Sequence, residues 1–211
     1  LLSVREDDQC IEYLRNIKYP FVVVGRPKDT SRVLWVDNDN FQAMYNVVIT
    51  LIERGHRKIA FIGGPETFNV TKDRLEGYKR AIQGRGIDID QNLIVTSEFS
   101  ELKGYESARK IIKYDVPEAI VTTDDLIAFG VLKALKEKEI EGVSVVGFNN
   151  TSLAQYQTPA LSSVDINAEQ IGYQAAKLLI GQLEEAEETK NRPTHHIVDT
   201  KFIERESTKQ K

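Results

Sequence analysis

The sequence predicts an α/β protein built on parallel sheets. Short β-branched runs alternate with stretches whose apolar residues recur at helical spacing, and carboxylates and amides gather where each run gives way to a helix. That alternation implies parallel strands joined by right-handed crossovers. "LLSV" (1–4) reads as a strand end running into a helix, and "FVVVG" (21–25) as a strand buried on both faces. "VLWV" (33–36) leads into "FQAMYNVVITLIERG" (41–55), where Ala43, Met44, Val47, Val48, Leu51 and Ile52 form one stripe and Gly55 stops the helix. "KIAFIGG" (58–64) is a strand, followed by a helix carrying Leu75, Tyr78 and Ile82. "LIVT" (93–96) precedes a helix through Leu102, Tyr105, Ala108, Ile111 and Ile112, and "AIVT" (119–122) one through Leu126, Phe129, Leu132 and Leu135. "VSVVGF" (143–148) and "SSVDI" (162–166) are strands, and Ile171, Ala175, Leu178 and Leu179 mark the next helix. "EEAEETKNRP" (184–193) reads as a solvated loop, and "HHIVDTKFIE" closes the chain as a final strand.

The 211 residues are 41% hydrophobic and 28% charged, enough for a sizeable core in one domain or two lobes. A net charge of −4 argues against this chain gripping nucleic acid by itself, because phosphate binding needs a basic face. Cys10 is the only cysteine, so no internal disulfide forms, and a reducing compartment is the simpler reading. No apolar run approaches the ~20 residues that span a bilayer. The chain opens inside a strand–helix unit without Met, so it is expected to be a piece of a longer protein.

In parallel α/β sheets ligands bind beyond the carboxyl ends of the strands. Asp37 and Asp39, "GGPETFN", Phe99, the pair Asp124 and Asp125, and Asn149 all fall there, with Arg74 near the start of a helix. Carboxylates, amides, a guanidinium and aromatic faces suit a small polyhydroxylated ligand. Each residue also has a plainer reading. Asp125, directly before its helix, reads as the N-cap, which leaves Asp124 free to face a cleft. Asp39 and Asn149 read as caps or turn residues, Phe68 and Phe99 as packing, and Arg74 as a surface partner of Asp73 or Glu76. Gly63-Gly64 lacks the Lys-Ser/Thr ending of a phosphate loop and reads as a turn. His195 and His196 are not at metal-ligand spacing with other candidates, and His56 sits at a helix end where a cation suits the dipole.

Motifs for catalysis are missing: no G-x-S-x-G, H-E-x-x-H or G-x-G-x-x-G stands in the required context. The two adjacent aspartates point different ways and are poorly placed to share one substrate proton.

With these residues assembled, the chain resembles the lactose-repressor (LacI/GalR) family of bacterial transcription regulators. The matching stretches are "VDNDN", "RGHRKIAFIGG", "DRLEGYKRAI", "AIVTTDDLIAFGVLKAL", "VSVVGFNN", "TPALSSV" and "FIERES", in the family's order across nearly the whole chain. The resemblance implies a type I periplasmic-binding-protein-like fold, two parallel-sheet lobes with an effector cleft between them. Residues 1–57 plus 164–192 would form the N-terminal lobe and 58–163 plus 193–211 the C-terminal lobe. Asp39, Arg74, Asp124 and Asn149 would hold effector polar groups, Phe99 would stack on the ligand and Phe68 would line the cleft, while Asp125 caps its helix. Asn149 departs from the Asp that many sugar-binding members carry, which alters the hydroxyl it meets.

The same resemblance implies a cytoplasmic, non-enzymatic homodimer, with no cofactor and no membrane contact. Operator DNA would be read by a helix-turn-helix domain that lies outside this chain. "FVVVGRP", "VDNDNFQA" and "FNVTKDRLEGY" are narrower matches, similar to maltose-operon repressors of Gram-positive bacteria, which implies maltose or a maltodextrin as effector. An extracytoplasmic sugar-binding protein for transport shares the fold and is the alternative.

Overall fold

In the computed structural model, which describes residues 1–184 apart from 3 and 6, and residues 194–208, the strands divide into two sheets. Val22–Val24 (β1) and Leu34–Asn38 (β2) pair in parallel, and His195–Val198 (β8) pairs in parallel with β2. The second sheet holds Ile59–Gly63 (β3), Ile94–Thr96 (β4), Ala119–Thr122 (β5), Ser144–Asn149 (β6), Ser162–Asp165 (β7) and Lys201–Ile203 (β9), in the order β4-β3-β5-β6-β7-β9. Its pairings are parallel except at the edge, where β9 runs antiparallel to β7.

The pleat sorts the larger core. Alternate side chains of a strand point to opposite faces. Ile59 and Phe61 therefore pack with the helices Asn40–Glu53 (α2) and Asn69–Gly84 (α3), whereas Ala60 and Ile62 pack with Glu101–Tyr114 (α4) and Asp125–Glu137 (α5). Helices on both faces leave β3 and β5 buried along their whole length, which is why those strands read as continuous apolar runs. The smaller sheet is sandwiched between Gln9–Asn16 (α1), whose Ile11 meets Val23 and Trp35, and Ala168–Leu183 (α6), whose Ile171 and Ala175 meet Val36 and Val198.

Among the described residues three crossings join the lobes: residues 38–40 between β2 and α2, residues 165–168 between β7 and α6, and residues 198–201 between β8 and β9. They correct two expected boundaries. The helix within 41–55 belongs to the C-terminal lobe, because its whole apolar stripe packs on the larger sheet. The closing segment is two strands rather than one: β8 completes the smaller sheet, so 195–198 belongs to the N-terminal lobe, and only β9 returns to the larger one. His56, expected at a helix end where a cation suits the dipole, is fully buried there, with Nε2 3.2 Å from Ser144 Oγ. The acidic loop expected over 184–193 lies outside the described residues beyond 184. Among the described residues no helix is long and apolar enough to cross a membrane.

Candidate functional site

A cavity of about 450 Å³ opens between the two lobes. Val24, Gly25, Arg26 and Asp37 line it from the smaller lobe, and Phe68, Arg74, Phe99, Asp124 and Asn149 from the larger. Two other depressions, of about 520 and 420 Å³, each lie on a single lobe, where nothing would register how the lobes sit.

Arg74, in the second turn of α3, forms the floor and is 5% exposed. Its Nε and Nη2 donate to Asn40 Oδ1 at 3.0 and 2.8 Å, and Nη1 donates to the Thr123 carbonyl at 2.6 Å. The guanidinium carbon lies 3.4 Å from the centroid of the Phe148 ring, a desolvated cation–π contact. Burial pulls its pKa down to about 9, against the opposing pull of Asp37, Asp124, Asp73 and Asp125, so the group stays cationic at neutral pH. The surface pairing weighed for Arg74 is not formed; Asp73 instead takes Arg26 Nη2 at 2.9 and 2.8 Å, an ion pair between the lobes at the cavity. Asn69 adds a second link, its Nδ2 donating to the Arg26 carbonyl at 3.0 Å.

The aspartate pair divides its work differently from the expectation. Asp124 is the N-cap of α5: its backbone is extended (φ −162°) and its Oδ1 accepts from Leu126 N at 2.7 Å. Its Oδ2 accepts from Asn149 Nδ2 at 2.8 Å beside the cavity. One carboxylate thus caps the helix and lines the site. Asp125, expected as the cap, is the first helical residue and is completely buried. Its Oδ1 accepts from Ser163 Oγ at 2.6 Å and its Oδ2 from Thr151 N and Oγ1 at 2.6 and 2.9 Å, tying α5 to the loop after β6 and to β7. Gly147 leaves the room for this carboxylate; a Cβ there would fall on Asp125 Oδ1.

Asp39, expected at the effector, is exposed and stands outside the cavity lining. It caps α2, accepting from Gln42 N at 2.9 Å, which turns its carboxylate along the helix. Asp37 takes the place at the cavity, with Oδ2 accepting from Arg26 N at 2.8 Å and Oδ1 from Asn38 N at 2.8 Å. Sequence reasoning missed Arg26 and Asn40, whose partners Asp73 and Arg74 are distant in the chain.

Phe99 and Phe68 meet edge to face, with centroids 5.4 Å apart. Gly64 is where the Phe99 ring rests, since a Cβ would enter the ring, and its N–H donates to Thr123 Oγ1 at 2.9 Å. The Gly-Gly turn therefore seats an aromatic wall. Asn149 holds φ +101°, a conformation that non-glycine residues adopt only when their surroundings enforce it.

Burial is the largest influence on the Asp124 carboxyl and raises its pKa above 3.8, helped by Asp125 and opposed by the Leu126 amide, Arg74 and Asn149. A folded-state pKa above the unfolded value means that protonation favours the folded protein. This contribution is complete below pH 3.8 and is lost as pH rises through the folded value. Asp124→Asn is therefore expected to gain in melting temperature relative to the unsubstituted protein as pH rises through that window. A pH series of melting curves checks it, and a difference that is constant or of opposite slope refutes it.

The model for the periplasmic binding protein-like domain family matches residues 48–208. The HTH-type transcriptional regulator MalR of Streptococcus pneumoniae serotype 4 is 31% identical over 210 residues, covering 97% of this chain and 61% of that protein; the chain thus spans less than two thirds of that relative's length. A solved structure assigned as a transcriptional regulator LacI from Bacillus cereus subsp. cytotoxis is 39% identical, with TM-score 0.93, over 100% of this chain and 76% of that one. A complex of the transcriptional regulator CelR with cellobiose is 31% identical, with TM-score 0.91, over 99% of this chain and 64% of that one. With this fold and these similarities, the chain belongs to the periplasmic-binding-protein-like domain family and matches the effector domain of LacI-family transcriptional regulators.

Proposed function

We infer that this chain is the sensing part of a sugar-responsive bacterial repressor, with maltose or a short maltodextrin bound in the interlobe cavity. The observation that carries the reading is the composition of that cavity. Carboxylates (Asp37, Asp124), amides (Asn149, Asn69) and a fixed guanidinium (Arg74) surround a volume closed on one side by Phe68 and Phe99. Hydroxyls exchange hydrogen bonds with the first set, and an aromatic wall covers the apolar C–H face of a sugar ring. Similarity to MalR favours maltose, and the CelR–cellobiose complex makes a β-linked disaccharide the natural competitor.

The repressor is a cytoplasmic homodimer that reads operator DNA through a domain outside this chain. Sugar shifts the balance between lobe arrangements by its differential affinity for them. It thereby changes operator affinity by a coupling on the order of 1–3 kcal/mol. The site binds sugar and returns it unchanged.

A melting-temperature screen with maltose, maltotriose, cellobiose, glucose, ribose and purines tests this. Maltose at 100 times its dissociation constant is expected to stabilise the protein by about 2.7 kcal/mol. A shift with cellobiose alone would replace the effector, and a shift with purines alone would overturn the sugar reading.

A further inference from the structure

We propose that Asn38 is the hinge pin of the two lobes: its side-chain amide ties all three chain crossings together and sets how one lobe sits on the other. Asn38 lies in the first crossing, at the end of β2, and is 6% exposed. Its Nδ2 donates to the Ile166 carbonyl at 3.1 Å, in the second crossing, and to the Val198 carbonyl at 2.8 Å, at the start of the third. Two carbonyl acceptors fix which end of the amide is nitrogen. Both of its N–H groups are spent where the chain passes between lobes: the Val198 bond holds the ends of β2 and β8 together at the point where both leave the smaller sheet, and the Ile166 bond reaches the segment arriving from β7 of the larger lobe.

The pin is also wired to the cavity. Asn40, two residues on and 2% exposed, donates from Nδ2 to Asp37 Oδ1 at 3.0 Å and to the Asn38 carbonyl at 3.3 Å. Its Oδ1 takes two N–H groups of Arg74. A continuous chain of largely buried amides therefore joins the crossings to the cavity floor, and Asn38 itself reaches the cavity lining.

Rotation of one lobe against the other twists the three crossings relative to each other. Such a rotation pulls on the Ile166 bond, and releasing it leaves a buried donor and carbonyl without a partner, which is costly. The side chain thereby favours the lobe setting seen here over others. Removing it is expected to change the ratio of settings by about tenfold. The inference rests on the two-lobe architecture and not on the identity of the effector, so its test uses no sugar.

In the intact regulator, with any further cysteine replaced by serine, one spin label is placed at the exposed Cys10 on α1 of the smaller lobe. The other is placed on α3 of the larger lobe through Arg80→Cys. Electron–electron distance distributions are compared for the parent, Asn38→Asp, Asn38→Ala and the exposed control Asn46→Ala. Asn38→Asp keeps the shape and removes both donors; Asn38→Ala serves if the added charge prevents folding. A distance population absent or minor in the parent is expected to rise about tenfold in the Asn38 variants and to stay unchanged in the control. Parent-like distributions in a folded Asn38 variant overturn the proposal, even where its melting temperature falls. Failure of the sugar screen would leave this result standing.

Discussion

Arg74→Ala is expected to weaken sugar binding by about 30-fold or more and to destabilise the protein by about 2–5 kcal/mol. Both effects have one origin. The guanidinium is almost fully enclosed, spends three N–H groups on Asn40 and Thr123, and covers the face of Phe148. Removing it strands the Asn40 oxygen and the Thr123 carbonyl, and takes away the cation that faces Asp37, Asp73, Asp124 and Asp125. Left unbalanced, these carboxylates have to be either desolvated or protonated, and each alternative costs free energy. Arg74→Lys keeps the charge but loses the planar fork, and one ammonium cannot reach Asn40 and Thr123 while lying on the ring. Its affinity is expected between those of the parent and the alanine variant. Calorimetric titration with maltose, beside a denaturant melt, separates binding from stability. An Arg74→Ala protein that binds maltose like the parent would remove Arg74 from the site.

Periodicity made much of the fold legible and little of its joinery. The stripe Ala43, Met44, Val47, Val48, Leu51 and Ile52 is buried throughout, as its spacing required. A stripe states that a face is covered, but not by which sheet, and so the lobe that α2 joins is not legible from it. The closing strand failed for a related reason: nothing local at Asp199-Thr200 says that the chain leaves one sheet for another. Five of the six effector candidates line the cavity, because residues after parallel strands converge there whatever their identity. Asp39 is the exception, and the signal was present: Asp followed three residues later by Gln is a capping pattern, and the Asp39 carboxylate turns to the Gln42 amide. That the cap falls to Asp124 rather than to Asp125 was not decidable from spacing. Both are aspartates at one helix start, and the partners that bury Asp125, Thr151 and Ser163, are 26 and 38 residues away. The amide relay through Asn38 and Asn40 is hidden in the same way, in bonds that reach 128 and 160 residues along the chain.

Gly130→Ala is expected to be the most damaging small substitution in the larger lobe, at about 3 kcal/mol. Helices α4 and α5 touch backbone to backbone through a glycine on each. A Cβ on Gly130 would fall on the Glu101 carbonyl and the Tyr105 amide nitrogen of α4, and one on Gly104 would fall on the Ile127 carbonyl of α5. Main chain on both sides cannot rotate away as a side chain can, so the helices have to separate and loosen the core beneath Ala128 and Val131. Alanine's better helix propensity returns up to about 1 kcal/mol, too little to offset that. Gly172→Ala in α6 isolates the propensity effect, because a Cβ there meets nothing within 4 Å; it is expected to stabilise by roughly 0.5–1 kcal/mol. Urea midpoints of the two variants should move in opposite directions. Function should follow the first, since the opening turn of α5 carries Asp124 to the cavity and Asp125 to β7. Displacing that helix moves both carboxylates together, so Gly130→Ala should weaken maltose binding at temperatures where the protein is still folded. Parent-like affinity in the folded variant would mean that α5 shifts at its C-terminal end while its capped N-terminus stays fixed by the Asp125 bonds to Thr151 and Ser163.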